Sequence, residues 1–151
     1  MYKRVCLAYV LFLCLVASGL AQSKPAASDA PSLYKRLGGY DAIAAVMDDF
    51  LAQMAKDKQL SRFLVGLSDS SKGRLRQLAI EQLCQAAGGP CVYVGRDTKT
   101  AHKGLGITES DWDLSVKALV ASLDKFKVPA AEKGELLTLV SSLKPDIVEK
   151  P

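Results

Sequence analysis

Apolar side chains recur at intervals of three and four along most of this chain. Between 41 and 56, Ile43, Val46, Met47, Phe50, Leu51 and Met54 share one face of a helix. Between 72 and 87, Leu75, Leu78, Ala79, Leu83 and Ala86 point inward, with Arg74, Arg76, Glu81 and Gln85 outward. Thr108 opens a third helix, and Asp111 three residues later makes a capping-box pair with it. Its inward stripe is Trp112, Val116, Leu119, Val120 and Leu123. Val128-Pro129 breaks the chain, and proline suits the first turn of the helix that follows. That helix carries Leu136, Leu137, Val140 and Leu143 inward and runs to about 144, where Pro145 bends or ends it. Two shorter helical pieces are predicted, one over 32–37 capped by Ser32 and stopped at Gly38-Gly39, the other over 59–64. The polar stretch 68–73 reads as a loop, and 88–99 as irregular chain. No alternating strand pattern and no internal repeat is present, so the class is all-α.

The first thirty residues follow another pattern. Lys3 and Arg4 precede an unbroken apolar run, VCLAYVLFLCLV, and small residues close it, with Gly19 and Ala21 at the spacing of a cleavage site. This is the layout of a secretory signal peptide over 1–21. The run is short for a membrane span, which takes roughly 20 apolar residues, although an uncleaved anchor stays open. A lipid anchor at Cys14 is disfavoured by bulky Leu13 before it. Residues 22–31 (QSKPAASDAP) read as a flexible leader, 32–148 as the folded domain and 149–151 as a tail. The expected location is the periplasm or the exterior, with no membrane association after cleavage.

Export changes the reading of composition. The whole chain of 151 residues has a net charge of +4. Residues 22–151 keep 18 basic against 16 acidic side chains, or +2, and no helix has a basic face, so nucleic acid is not an expected partner. Of four cysteines, only Cys84 and Cys91 remain, in CQAAGGPC. An even pair in an oxidising compartment suggests a disulfide, and the intervening Gly-Gly-Pro turn could bring the two together. The alternative is two small buried thiols.

There is a single histidine, His102, in TKTAHKGLGIT. One imidazole cannot build a binuclear or three-histidine metal site. By spacing alone it is an ordinary surface or core residue. The one familiar metal centre it can serve is haem, which brings four nitrogens of its own and needs only one protein ligand. With no Cys-x-x-Cys-His, covalent c-type attachment is excluded.

Taken in order, SLYKRLGGYDAIAAVMDDF, LCQAAGGPCVYVGRDTKTAHKGLGIT, a Trp-bearing helix and VPAAEKGELLTLVSSLKPDIV resemble the group I truncated haemoglobins over about 32–148. The resemblance implies a two-over-two helical sandwich with a reduced first helix, and haem b as cofactor. It places His102 as the proximal ligand of the iron and Phe50 on the helix crossing the distal side. Phe63 is its candidate for the phenylalanine that wedges the haem. Tyr93 and Arg96 lie ahead of the proximal helix, Lys99 is placed towards a propionate, and Leu119 and Val140 line the far wall. Gly38-Gly39 and Gly88-Gly89 fall on the family's helix-ending glycines, suited to left-handed turns.

Departures from the family pattern bear on function. Where well-known members carry a tyrosine that hydrogen-bonds bound oxygen, this chain has Leu51; where they often carry glutamine, it has Leu75 and Ala79, with Leu78 beside them. Gln77 and Gln82 occupy other faces of that helix. The resemblance therefore implies reversible binding of oxygen, carbon monoxide or nitric oxide over an apolar distal pocket. With no second histidine, only Met54 or Lys72 offers a sixth ligand from the protein. Enzymatic readings are nitric oxide dioxygenation, which needs a reductase the chain lacks, and peroxidase chemistry, which wants a polar acid/base group over the iron. A haem-free helical interaction module is the remaining alternative.

Overall fold

The computed structural model describes residues 30–150; the signal sequence and most of the leader read above lie outside it. Among the described residues seven α-helices form: α1 (Leu33–Arg36), α2 (Gly39–Lys56), α3 (Asp69–Ala86), α4 (Thr98–His102), α5 (Glu109–Lys125), α6 (Ala130–Ser141) and α7 (Lys144–Ile147), with a 3-10 turn at Leu60–Phe63. Helix α2 packs against both α3 and α5; α1 bridges α2 and α6, and α4 rests on α7. The helical sandwich that the resemblance implied is built on α2, which packs against α3 and against α5.

The apolar stripes account for this packing. Leu33, Val46, Ala87, Leu119, Leu123 and Leu136 form one buried cluster that joins α1, α2, α5 and α6. Ile43, Ala44, Met47, Ile80 and Cys84 form a second between α2 and α3. Phe50 packs against both. Each fully buried aliphatic side chain stabilises the fold by about 1.5–3 kcal/mol. The first cluster is not filled: a cavity of about 120 Å³, lined by apolar residues including Leu37, Val46, Leu83 and Leu136, lies between these helices.

Several sequence expectations shift. The stretch 68–73 is not a loop: Ser68 caps α3 by accepting the Ser71 N–H at 3.2 Å, and Asp69 complements the helix dipole. Its Ser/Asp composition is that of a helix start as much as of a loop. Gly73 sits inside α3 with open space around it, a cost of about 1 kcal/mol that the rest of the helix offsets. The inward face of α3 is also rotated. Ile80 and Cys84 are fully buried, whereas Leu75 is 38% exposed and Ala86 is exposed. The last stripe is two helices, α6 and α7, with Pro145 in the first turn of the second.

Cys84 and Cys91 are joined by a disulfide. It pins the end of α3 to the irregular segment leading to α4. Closing so short a loop is worth about 2–3 kcal/mol in chain entropy. Of the Gly88-Gly89 pair, Gly88 takes the left-handed turn (φ 78°). Gly89 is needed for space instead: a Cβ there would lie 2.5 Å from the Tyr34 ring and 2.7 Å from Cys84 Sγ.

Candidate functional site

Helix α4 is five residues long and cannot stand by its own hydrogen bonds. Asp97 caps it, accepting the Thr100 N–H at 2.8 Å. The Thr100 hydroxyl and, after it, that N–H hold the Asp97 carboxyl below its usual range. His102 is the last helical residue and is half-buried. Its Nδ1 lies 2.7 Å from the Thr98 carbonyl oxygen one turn earlier. A carbonyl only accepts, so Nδ1 carries the proton, and in the neutral ring Nε2 keeps its lone pair. The ring is thereby fixed in the tautomer that a metal-binding histidine adopts, with the orienting hydrogen bond already made. Among the described residues no group of three or more His, Cys, Asp or Glu is placed to hold a metal. His102 therefore suits a metal that arrives with ligands of its own.

Helix α3 is tied to α4 at one point, where Gln82 donates to the Thr98 hydroxyl at 3.0 Å. The other glutamines of α2 and α3 are engaged too. Gln77 bonds the Tyr40 hydroxyl and Glu81, and Gln85 accepts the Tyr93 N–H at 2.7 Å. Gln53 donates to Asp49 and Ser122 at 2.8 Å each. Asp49 is further gripped by Lys125, which with Gln53 and Ser122 lowers its carboxyl to about 2. Leu51 and Leu78 are half-buried and Leu75 exposed, and none of the three belongs to either core cluster.

The bacterial-like globin family profile matches residues 32–149. A group 1 truncated haemoglobin of Mycolicibacterium paratuberculosis is 34% identical over 116 residues, which cover 77% of this chain and 83% of that protein. One from a Synechocystis species is 32% identical, covering 65% of this chain and 80% of its own. Among solved structures, a 2/2 haemoglobin from a Synechococcus species, in the cyanomet state and with covalently attached haem, superposes with a TM-score of 0.71 at 26% identity. That match covers 78% of this chain and 98% of the other. The chain belongs to the group 1 truncated haemoglobins.

The residues of this truncated haemoglobin fit a haem on grounds of their own. Of the six exposed large apolar side chains among the described residues, Val65, Leu75, Val92, Val94 and Leu105 fall in sequence between the 3-10 turn and the loop after His102. The His102 imidazole, its Nδ1 engaged by the Thr98 carbonyl, could supply the one ligand that a porphyrin iron needs from the protein.

The structure separates the remaining expected site residues. Leu119 is part of the buried core between α1, α2, α5 and α6 rather than only a wall. Phe50 is shared between the two core clusters. Ala79 packs against the second cluster beside Ile80. Phe63 is half-buried under the Arg62 guanidinium, 4.4 Å from the ring centre. Tyr93 donates its hydroxyl to the Arg96 carbonyl at 2.6 Å, so it braces the segment before α4. Lys99 is exposed and Met54 half-buried, while Lys72 pairs with Asp69 at 3.7 Å on the first turn of α3.

One organising residue was legible only as a cap. Asp111 is fully buried. Besides the Thr108 N–H and hydroxyl (2.8 Å each), it accepts Gln59 at 2.8 Å and Arg62 at 2.6 Å. It thus fastens the 3-10 turn bearing Phe63 to the start of α5. Burial pushes its carboxyl up, but the hydrogen bonds from Thr108 and Gln59 and the charge of Arg62 outweigh this and lower it to about 2. Because the folded-state value is depressed, the stability Asp111 contributes is complete above about pH 4 and drains away as pH falls towards 2. Asp111→Asn leaves buried donors unsatisfied and is expected to cost about 1–3 kcal/mol at neutral pH. Denaturant unfolding should show the gap to the parent narrowing near pH 2; a gap constant with pH would contradict the assignment.

Proposed function

We propose that this truncated haemoglobin holds haem b through His102 Nε2 and binds diatomic gases reversibly on a face that offers them no hydrogen bond. The observation that carries the reading is the 2.7 Å contact between His102 Nδ1 and the Thr98 carbonyl, which leaves Nε2 as a donor. When bound, haem would supply an iron able to take oxygen, carbon monoxide or nitric oxide. The chain's own residues do the rest. The Thr98 carbonyl orients the imidazole and raises its basicity. Leu51, Leu75, Leu78 and Ala79 exclude water without donating to the ligand. Lys99, exposed on α4, carries the charge that suits a propionate. Peroxidase chemistry finds no acid or base among these residues, and nitric oxide turnover would draw on a reductase from outside the chain. The basic start, apolar run and small-residue end of 1–21, together with the Cys84–Cys91 disulfide, support export to an oxidising compartment. No helix of the described residues is long and apolar enough to cross a membrane.

Titration of the purified protein with haemin, followed by reduction and exposure to carbon monoxide and then oxygen, tests this reading. The expected result is one-to-one uptake, a sharp ferrous–carbonyl spectrum and fast oxygen release. Lack of stoichiometric uptake would sink the haem assignment, and slow oxygen release would sink the apolar face.

A further inference from the structure

The segment that follows His102 contains Gly104 and Gly106, both left-handed, at φ 85° and 65°. Two such glycines leave a backbone with little of its own to hold it still. It is held from outside. One carboxylate oxygen of Glu149 accepts the Gly104 N–H and the other accepts the Gly106 N–H, each at 2.6 Å. The main chain beside that side chain grips the same loop. The N–H groups of Glu149 and Lys150 both donate to the Ile107 carbonyl, at 2.9 and 3.2 Å, and Thr108 and Lys150 form a parallel bridge. Residues 149 and 150, read from sequence as a tail, are therefore a strap across the end of the site, continuous with α7, which packs on α4.

We propose that Glu149 is a positioning residue for the haem ligand: by spanning Gly104 and Gly106 it fixes the backbone leaving His102 and, through it, the direction of the imidazole. The inference rests on His102 being the iron ligand. His102 ends a five-residue helix, where the last turn ordinarily frays. The Thr98 carbonyl restrains the ring from the preceding turn, and α4 holds the chain after it by two backbone bonds alone, Lys103 N–H to the Lys99 carbonyl at 3.0 Å and Leu105 N–H to the His102 carbonyl at 3.2 Å, which leave the Gly104 and Gly106 N–H groups to be held from outside the helix. The Glu149 carboxylate supplies that restraint with two charge-assisted bonds. The same two N–H groups, Gly104 first, draw its carboxyl below the ordinary range. Partners one step removed from a metal are worth about 10–100-fold in metal affinity. Glu149 is exposed and acts through the backbone, so about tenfold faster haem loss is expected on its removal.

Glu149→Gln keeps the shape but turns one acceptor into an amide facing an N–H; Glu149→Ala removes both acceptors. Two measurements on the full chain decide the matter. In haem-free protein, amide hydrogen exchange at Gly104 and Gly106 should quicken in both variants. In the ferrous loaded protein, the iron–histidine stretching band should shift and broaden, more for alanine than for glutamine. Glu135→Gln, which removes a partner of Arg36, should leave both readouts alone. A general loss of stability would not move the band of molecules that remain folded. An iron–histidine band that is present and unmoved, or glycine exchange that is unchanged, overturns the clamp and leaves His102 as ligand. A band absent from parent and variants alike overturns the ligand assignment, and the clamp falls with it.

Discussion

Replacing His102 with alanine should cost this protein its hold on haem by more than about a hundredfold, because loss of a mere hydrogen-bond partner to a metal-binding histidine already costs about 10–100-fold. Three features of the structure set that expectation. His102 is the only histidine in the sequence, so no neighbour can substitute. Its Nδ1 proton is committed to the Thr98 carbonyl at 2.7 Å, so the ring is already turned with Nε2 free. And no cluster of other donors among the described residues could hold the metal in its place. The measurement is the rate of haem transfer to an excess of an apo-globin acceptor, with the ferrous spectrum recorded alongside. Imidazole added to His102→Ala should restore part of the parent spectrum, because the deleted ring leaves a space of its own shape. Unchanged retention and an unchanged ferrous spectrum would show that another group ligates the iron. The fold should survive the change: His102 is half-buried, belongs to neither core cluster, and its removal frees only the half-buried Thr98 carbonyl.

This asymmetry between site and core explains what the sequence disclosed. Spacings of three and four found the helices because burial sets them: Ile43, Val46 and Met47 on α2, and Trp112, Leu119 and Leu123 on α5, are inside as expected. His102 by spacing alone read as an ordinary surface or core residue, and only the family resemblance singled it out as a ligand. The misreadings arose where one local signal has two meanings. Ser68, Asp69 and Ser70 serve a loop or a helix start equally well, and only the Ser71 N–H reaching the Ser68 hydroxyl decides between them. Leu75 belonged to the inward stripe by periodicity, yet it faces away from both core clusters because Ile80 and Cys84 fill the space beside α2. The contacts that finish the site were beyond any local reading. Glu149 meets Gly104 across 45 residues, Arg62 meets Asp111 across 49, and Gln82 meets Thr98 across 16. Each is an ordinary polar residue until the chain has folded. The pairing of Asp111 with Thr108 alone was visible beforehand, because a capping box spans one turn.

Installing a donor over the ligand face should have the opposite effect to losing the histidine: Leu51→Tyr is expected to slow oxygen escape by about ten- to hundredfold. The magnitude follows from a hydrogen bond to a partly anionic ligand, worth about 1.5–3 kcal/mol, at about 1.4 kcal/mol per factor of ten. Leu51 is half-buried on α2 and outside both core clusters, so a larger side chain there displaces no buried packing. The parent offers nothing equivalent. Gln53 is bound to Asp49 and Ser122, Gln77 to Tyr40 and Glu81, and Gln82 to Thr98, so to aim any of them at a ligand would break a bond already made. Carbon monoxide, which draws little charge from the iron, gains little from a hydroxyl, and its escape should change several-fold less than that of oxygen. The ratio of the two rates therefore separates a new hydrogen bond from simple crowding, which would slow both alike. If the tyrosine variant releases oxygen as fast as the parent, position 51 does not face the ligand, and the apolar face assigned to Leu51, Leu75 and Ala79 lies elsewhere on α2 and α3. If oxygen alone is retained, the weak hold of the parent traces to a single missing hydroxyl. The protein would then be tuned for release, or for ligands that need no hydrogen bond, on a scaffold that one substitution converts to retention.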